Sequence, residues 1–151
     1  MRPLILLALL AFPAAFPAAL AAQQEAAEGA LPPVLVFKSP WCGCCGGWVA
    51  HMRANGFEVE ARNIEDMAPV KAAFAVPEKL QSCHTARVGG YVIEGHVPAA
   101  DILRLLQQRP GLVGLSVPGM VAGSPGMGAG DTPYQVIGFA ADGSVQVYAR
   151  Y

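Results

Sequence analysis

A cluster of three cysteines constrains the fold of this sequence more than any other feature. Cys42, Cys44 and Cys45 lie within four residues and follow a short apolar run, 34–37, with prolines nearby on both sides. Such a run is typical of a buried central strand. The segment after the cysteines, 47–56, places apolar residues on one helical face and ends in a glycine. The sequence therefore predicts that the cysteines lie between a strand and the N-terminus of a helix.

The beginning of the chain has the layout of a secretory signal peptide. A basic start precedes an apolar run, 4–12, and small residues continue up to a predicted cleavage site after Ala21. The run is shorter than the ~20 residues that a helix needs to span a bilayer. We therefore predict a signal peptide at 1–21, a flexible lead-in at 22–33 and one domain at 34–151. The protein is expected to be periplasmic, without a stable membrane span after cleavage.

The charge pattern argues against nucleic-acid binding. The chain has 10 Lys and Arg against 11 Asp and Glu, and its basic residues neither form a block nor alternate with aromatic residues. The sequence also lacks a Ser/His/Asp arrangement, a phosphate-binding glycine loop and a paired-carboxylate site. The cysteines are therefore the main candidates for chemistry.

All four cysteines, the fourth being Cys83, lie in the predicted mature chain. Structural disulfides are the usual role of cysteines in exported proteins. The cluster suits that role poorly, because a bridge across so short a loop removes little entropy from the unfolded chain, and adjacent cysteines pair only with strain. A helix N-terminus instead stabilises thiolates, and a thiolate is both a nucleophile and a metal ligand. Position alone therefore leaves redox catalysis and metal binding open.

The predicted elements follow the order strand, helix, strand, helix, hairpin, helix, which indicates an α/β fold of the thioredoxin-like, three-layer α/β/α type. The later elements are a strand at 57–61, a helix at 67–75, a hairpin turned at Gly89-Gly90, a helix from Pro98, a Gly/Pro/Met-rich loop at 110–133 and an added β-hairpin turned at Asp142-Gly143. The loop is long for a compact domain, so we expect it to be functional or disordered.

The run Trp41-Cys42-Gly43-Cys44-Cys45 resembles the thioredoxin active-site run Trp-Cys-Gly-Pro-Cys. This resemblance implies a thiol-disulfide oxidoreductase with Cys42 as the nucleophile and Cys45 as the resolving cysteine. Two departures favour metal binding instead. Thioredoxins carry a cis-proline before the third strand, where this sequence has Cys83 and a histidine, and Cys44 is surplus to disulfide exchange.

Four converging thiolates suit Cu(I), zinc or an iron–sulfur cluster. Structural zinc sites usually take two separate cysteine pairs, and iron–sulfur ligands follow wider spacings, so these two metals are the weaker alternatives. Adjacent thiolates can bridge several Cu(I) ions, and thiolates and thioethers both select Cu(I).

Histidines and methionines add candidate auxiliary groups. His84, beside the fourth cysteine, is a candidate ligand or a group that supports a ligand. Met120 and Met127 each follow Pro-Gly in the long loop and are candidate thioether ligands, with packing on the core as the alternative. We expect His51 on the surface and His96 in the turn or cap of the helix from Pro98.

Segments spread over most of the mature chain resemble the periplasmic CopG-type copper-resistance proteins, long catalogued as a domain of unknown function. The matching segments are 42–45, 54–57, 82–85, 88–98, 117–120 and 123–127. The resemblance implies a thioredoxin-like fold and a multinuclear Cu(I) cluster with Cys42, Cys44, Cys45 and Cys83 as ligands. It also implies copper handling or copper redox chemistry, with copper ions and other periplasmic copper-handling proteins as partners. Whether such a protein is an enzyme stays open.

Overall fold

A mixed sheet of seven strands carries most of the fold. In chain order the strands are β1 (Val34–Lys38), β2 (Val59–Asn63), β3 (His84–Val88), β4 (Tyr91–Glu94), β5 (Gly114–Ser116), β6 (Gln135–Phe139) and β7 (Val145–Arg150). Their order across the sheet is β2-β1-β3-β4-β5-β6-β7. The β1/β2 and β4/β5 pairs are parallel, and the other neighbouring pairs are antiparallel.

Helical segments connect several of the first five strands of the chain. They are α1 (Gly43–Ala54), α2 (Ala68–Ala73), a 3₁₀ turn (Glu78–Leu80) and α3 (Ala99–Gln108). The structure is a computed structural model that describes residues 29–151, so the predicted signal peptide and most of the lead-in lie outside the described residues. Within that range, no helix is both long and apolar enough to cross a bilayer. The prediction of a mixed α/β domain is confirmed, whereas its three-layer thioredoxin-like form and its boundaries stay predictions.

Helix α1 is held in the core by its apolar face. Trp48, Val49 and Met52 are buried there, at one-helical-turn spacings. The indole Nε1 of Trp48 donates a hydrogen bond of 2.9 Å to the carbonyl oxygen of Val97, so the ring is buried with its polar group paired. This contact ties the helix that carries the cysteines to the segment that precedes α3.

The pairing of β1 with β3 brings Cys83 to the cysteine cluster. Lys38, the last residue of β1, is paired with His84, the first residue of β3. Cys83 immediately precedes His84, and Cys42 follows Lys38 by four residues. Both cysteines therefore lie near the same ends of the paired strands β1 and β3. The proximity of Cys83 to the cluster is therefore a consequence of antiparallel strand register.

The predicted loop at 110–133 is wrong in part, because it contains β5. Leu115 of this strand is fully buried, and a Cβ on Gly114 would overlap the backbone of Val92. Three residues are too few to show an alternating pattern, and the strand forms because β4 and β6 offer partners on its two sides. Both predicted hairpins are confirmed. Helix α1 begins at Gly43, four residues earlier than predicted, and β2 begins and ends two residues later.

Candidate metal centre

Four sulfur atoms converge at the N-terminus of α1. The Sγ atoms of Cys42, Cys44, Cys45 and Cys83 all lie within 4.8 Å of one another. Three of them come from the N-cap and first turn of α1, and the fourth comes from the residue before β3. The structure thus brings together all four cysteines singled out in the sequence, and their role as metal ligands stays a prediction.

Two of the four sulfurs are oxidised in this structure. Cys42 and Cys45 form a disulfide, with their Cα atoms 5.4 Å apart. Cys44 and Cys83 are free thiols, and the Sγ of Cys44 lies 3.5 Å from that of Cys42. Reduction of the disulfide by two electrons and two protons would give four thiols in the same volume.

The first turn of α1 offers a favourable electrostatic environment for thiolates. It contains no acidic residue, and Cys42 at the N-cap forms no side-chain hydrogen bond to the helix. The unpaired N–H groups and the positive end of the helix dipole therefore remain available to negative sulfur. Cys45 in this turn is completely buried, which keeps water from screening such an interaction.

Cys83 belongs to a hydrogen-bonded chain that ends in the long loop. Its Sγ lies 2.9 Å from Nε2 of His96, and Nδ1 of His96 lies 2.7 Å from the carbonyl oxygen of Pro125. A carbonyl oxygen only accepts, so Nδ1 carries the proton. In the neutral ring Nε2 is then an acceptor, and the thiol donates to it.

Burial keeps both Cys83 and His96 uncharged near neutral pH. Burial, followed by the negative charge of Cys44, raises the pKa of Cys83 to about 11. Burial also lowers the pKa of His96, against the opposing effect of its bond to Pro125. A metal that binds the Cys83 sulfur must therefore displace a proton.

His84 supplies a second imidazole beside the same sulfur. It is completely buried, and its Nδ1 lies 3.3 Å from the Sγ of Cys83. Burial, and then the charges of His96, Lys71 and Lys38, lower the pKa of His84 well below its ordinary value. Its Nε2 has no hydrogen-bond partner in the part of the chain that the structure describes. Such an unpaired buried nitrogen is costly unless a ligand uses it.

Cys83, His84 and His96 form a second group of donor atoms within 4.8 Å of one another. This group shares Cys83 with the four-cysteine group, so the two groups are continuous. The first group offers only sulfur, and the second adds imidazole nitrogen; copper and zinc bind both kinds of donor. The donor chemistry therefore fits a soft or borderline metal.

His96 lies in the bend before α3, as predicted, but Pro98 is the N-cap of that helix, and the His96 ring contacts Cys83, which was not predicted. The signal was present in the β3/β4 hairpin, where Thr85 is paired with Glu94. Two residues further out, the same register places 83 opposite 96. His51, which was predicted at the surface, is partly exposed and belongs to neither donor group. Its Nε2 accepts a hydrogen bond of 3.0 Å from the backbone N–H of Ala99, a contact that was not predicted.

The long loop packs directly on α1 beside the cysteines. Gly126, with a φ of +84°, lies so close to the helix that a Cβ would overlap the backbone of Trp48 and Gly47. Met127 follows it and is half-buried, whereas Met120 is 55% exposed. The thioether roles of these two methionines stay predictions.

Comparisons with known proteins agree on one family. A family model described as "Protein of unknown function, DUF411" matches residues 80–127. Two solved structures of a copper resistance protein, CopG, in its Form 1 and Form 2, are each 46% identical in sequence, with a TM-score of 0.76. Each match covers 80% of this chain and 98% of the other. No curated protein sequence gives a significant match.

Proposed function

This chain belongs to the family of the copper resistance protein CopG, and we propose that it handles copper by holding Cu(I) in a multinuclear thiolate cluster. The proposed ligands are Cys42, Cys44, Cys45 and Cys83. The observation that carries the proposal is the convergence of their four Sγ atoms within 4.8 Å at a helix N-terminus. At such separations one thiolate can bridge two ions, so we expect more than one copper per chain.

The donor set favours Cu(I) over harder cations. Both donor groups found among residues 29–151 contain only cysteine and histidine. Calcium and magnesium require oxygen ligands, whereas thiolates select soft ions. His84 and His96 would act as further ligands or hold the Cys83 sulfur in place, and Met120 and Met127 would assist from the loop.

We propose that the domain, 34–151, has a thioredoxin-like, three-layer core to which the long loop and the last hairpin are added. The parallel β1/β2 pair and the antiparallel β3/β4 hairpin support this assignment. The layout of 1–21 supports export to the periplasm, where copper ions and other copper-handling proteins would be its partners.

Anaerobic titration with Cu(I) tests this function. The mature protein, reduced at all four cysteines, is titrated and analysed for bound metal, beside a Cys44→Ser/Cys83→Ser double variant. We expect several copper ions per wild-type chain, with proton release on loading and loss of metal in acid. A wild-type protein that binds no copper, or binds it no more tightly than the double variant, would refute the proposal. Zinc or iron in the purified protein would instead favour the weaker alternatives.

The Cys42–Cys45 disulfide favours a second candidate function, a thiol-disulfide oxidoreductase. In that reaction the reduced Cys42/Cys45 pair gives two electrons and two protons to a substrate disulfide, which leaves as two thiols while the Cys42–Cys45 disulfide re-forms; an added dithiol reduces this disulfide again for the next turnover. Insulin reduction distinguishes the two functions. Cys44→Ser and Cys83→Ser would keep this activity and Cys42→Ser would abolish it, whereas a protein that only binds copper is inactive in every form.

A further inference from the structure

A buried ion pair lies next to the donor residues without being one of them. Lys71 of α2 donates a hydrogen bond from Nζ to Oε1 of Glu94, at the end of β4. Glu94 is completely buried, and Lys71 is only 7% exposed. Charged side chains are rarely buried to this extent unless they are paired.

The Glu94 carboxylate binds the two residues that flank Cys83 and His84. The backbone N–H of Ser82 donates a hydrogen bond of 2.7 Å to Oε1, and the hydroxyl of Thr85 donates one of 2.6 Å to Oε2. Because both oxygens belong to one rigid, buried group, the two bonds fix the backbone on either side of the donor residues. The Cys83 sulfur and the His84 ring therefore depend on Glu94 for their placement.

The same network reaches the loop that carries Met120. The hydroxyl of Ser82 donates a hydrogen bond of 2.5 Å to the carbonyl oxygen of Gly119, and Gly119 donates from its N–H to the carbonyl oxygen of Gln81. A shift of Ser82 would therefore move both Cys83 and the loop segment before Met120.

Stability alone explains this pair poorly. Burying two charges carries a large desolvation penalty, and apolar residues of similar volume are often as stabilising as a buried ion pair. What apolar residues cannot provide is an acceptor for Ser82 and Thr85. Groups that orient metal ligands in this way commonly change metal affinity by about 10- to 100-fold when they are removed.

We propose that Glu94, neutralised by Lys71, is a positioning residue that holds Cys83 and His84 in the geometry that binds the metal. This inference rests on the proposed copper function. It assigns to Glu94 no direct contact with the metal.

The test compares variants that keep or remove the acceptor. Lys71→Met/Glu94→Leu removes both charges at similar volume. Thr85→Val removes one donor to Glu94, together with the acceptor of a 3.2 Å hydrogen bond from Lys71 Nζ, but keeps the ion pair. Lys71→Arg is the conservative variant. Asp101→Asn is the matched control, because it disrupts another buried carboxylate paired with a cation, that of Asp101 with Arg104 on α3.

Affinity for Cu(I), measured by competition with a chelator, and the Cu(I)–thiolate absorption band are the readouts. We expect the double variant to lose about 10- to 100-fold in affinity with a changed band, and Thr85→Val to lose about 10-fold. Lys71→Arg should bind as the wild type does. Asp101→Asn should lose stability without a change in affinity or band.

The results distinguish a failure of the proposed copper function from a failure of the inference about Glu94. If the wild type binds no copper, the proposed function fails and this inference fails with it. If the wild type binds copper and the folded double variant binds it with the same affinity and band, Glu94 does not position the ligands. Should the double variant not fold, an unchanged affinity and band in Thr85→Val would overturn the inference by itself.

Discussion

The Cys83 thiol is predicted to ionise far above the usual range, and its alkylation rate can reveal this. Its pKa is raised from 9.0 to about 11, first by burial and then by Cys44. In a Cys44→Ser variant with the Cys42–Cys45 disulfide intact, Cys83 is the sole free thiol, and burial, the larger cause, is retained. Two pKa units correspond to about a 100-fold lower thiolate fraction at pH 8.

Iodoacetamide labelling followed by mass spectrometry measures this rate. The same variant unfolded in guanidinium is the control, because its Cys83 is fully hydrated. We expect the folded variant to react more slowly than the unfolded one at pH 8, by less than the ~100-fold of the full shift because the contribution of Cys44 is absent. Its rate should rise about tenfold per pH unit from 7 to 9 without levelling. The dependence of the rate on pH is the more informative result, since restricted access to the thiol lowers the rate but leaves its pH dependence unchanged. A rate that levels off near pH 9 would refute the burial argument.

Three further predictions concern the whole domain. Protein that keeps the Cys42–Cys45 disulfide should bind less copper than reduced protein, as metal analysis would show; equal loading would exclude these sulfurs as ligands. In urea unfolding, Gly126→Ala should destabilise the protein by about 1–3 kcal/mol more than Gly128→Ala. Both glycines have positive φ, but of the two only Gly126 contacts α1. Equal losses of stability would contradict the importance of that contact. Burial lowers the pKa of all three histidines. The unfolded chain therefore binds more protons, and the free energy of unfolding of metal-free protein should fall below about pH 6.5; a flat profile between about pH 7 and 5 would contradict it.

The position of the three clustered cysteines between β1 and α1 could be predicted because the sequence patterns that indicate it are local. The apolar run of β1, the cysteines and the buried face of α1 follow one another within the same 21 residues, 34–54, so strand and helix patterns suffice. The position of Cys83 required the analogy with a thioredoxin-like fold. His96 required one further step, the counting of strand register outward from the turn at Gly89-Gly90.

The parts that could not be predicted depend on partners far apart in sequence. β5 is three residues long and forms only because strands lie on both sides of it. Lys71 and Glu94 are 23 residues apart, and each charged residue alone is expected at the surface. Their pairing appears only when α2 and the β3/β4 hairpin are folded together.

The candidate centre therefore joins two separate pieces of chain. The corner between β1 and α1 supplies three sulfurs, and the β3/β4 hairpin supplies Cys83, both histidines and the carboxylate that holds them. The two pieces meet only when β1 pairs with β3, at Lys38 and His84. A metal bound across them would hold that pairing closed, so its binding free energy would add to the stability of the folded domain. Cysteine spacing along the chain identifies only part of the centre, because strand register brings the remaining donors to it.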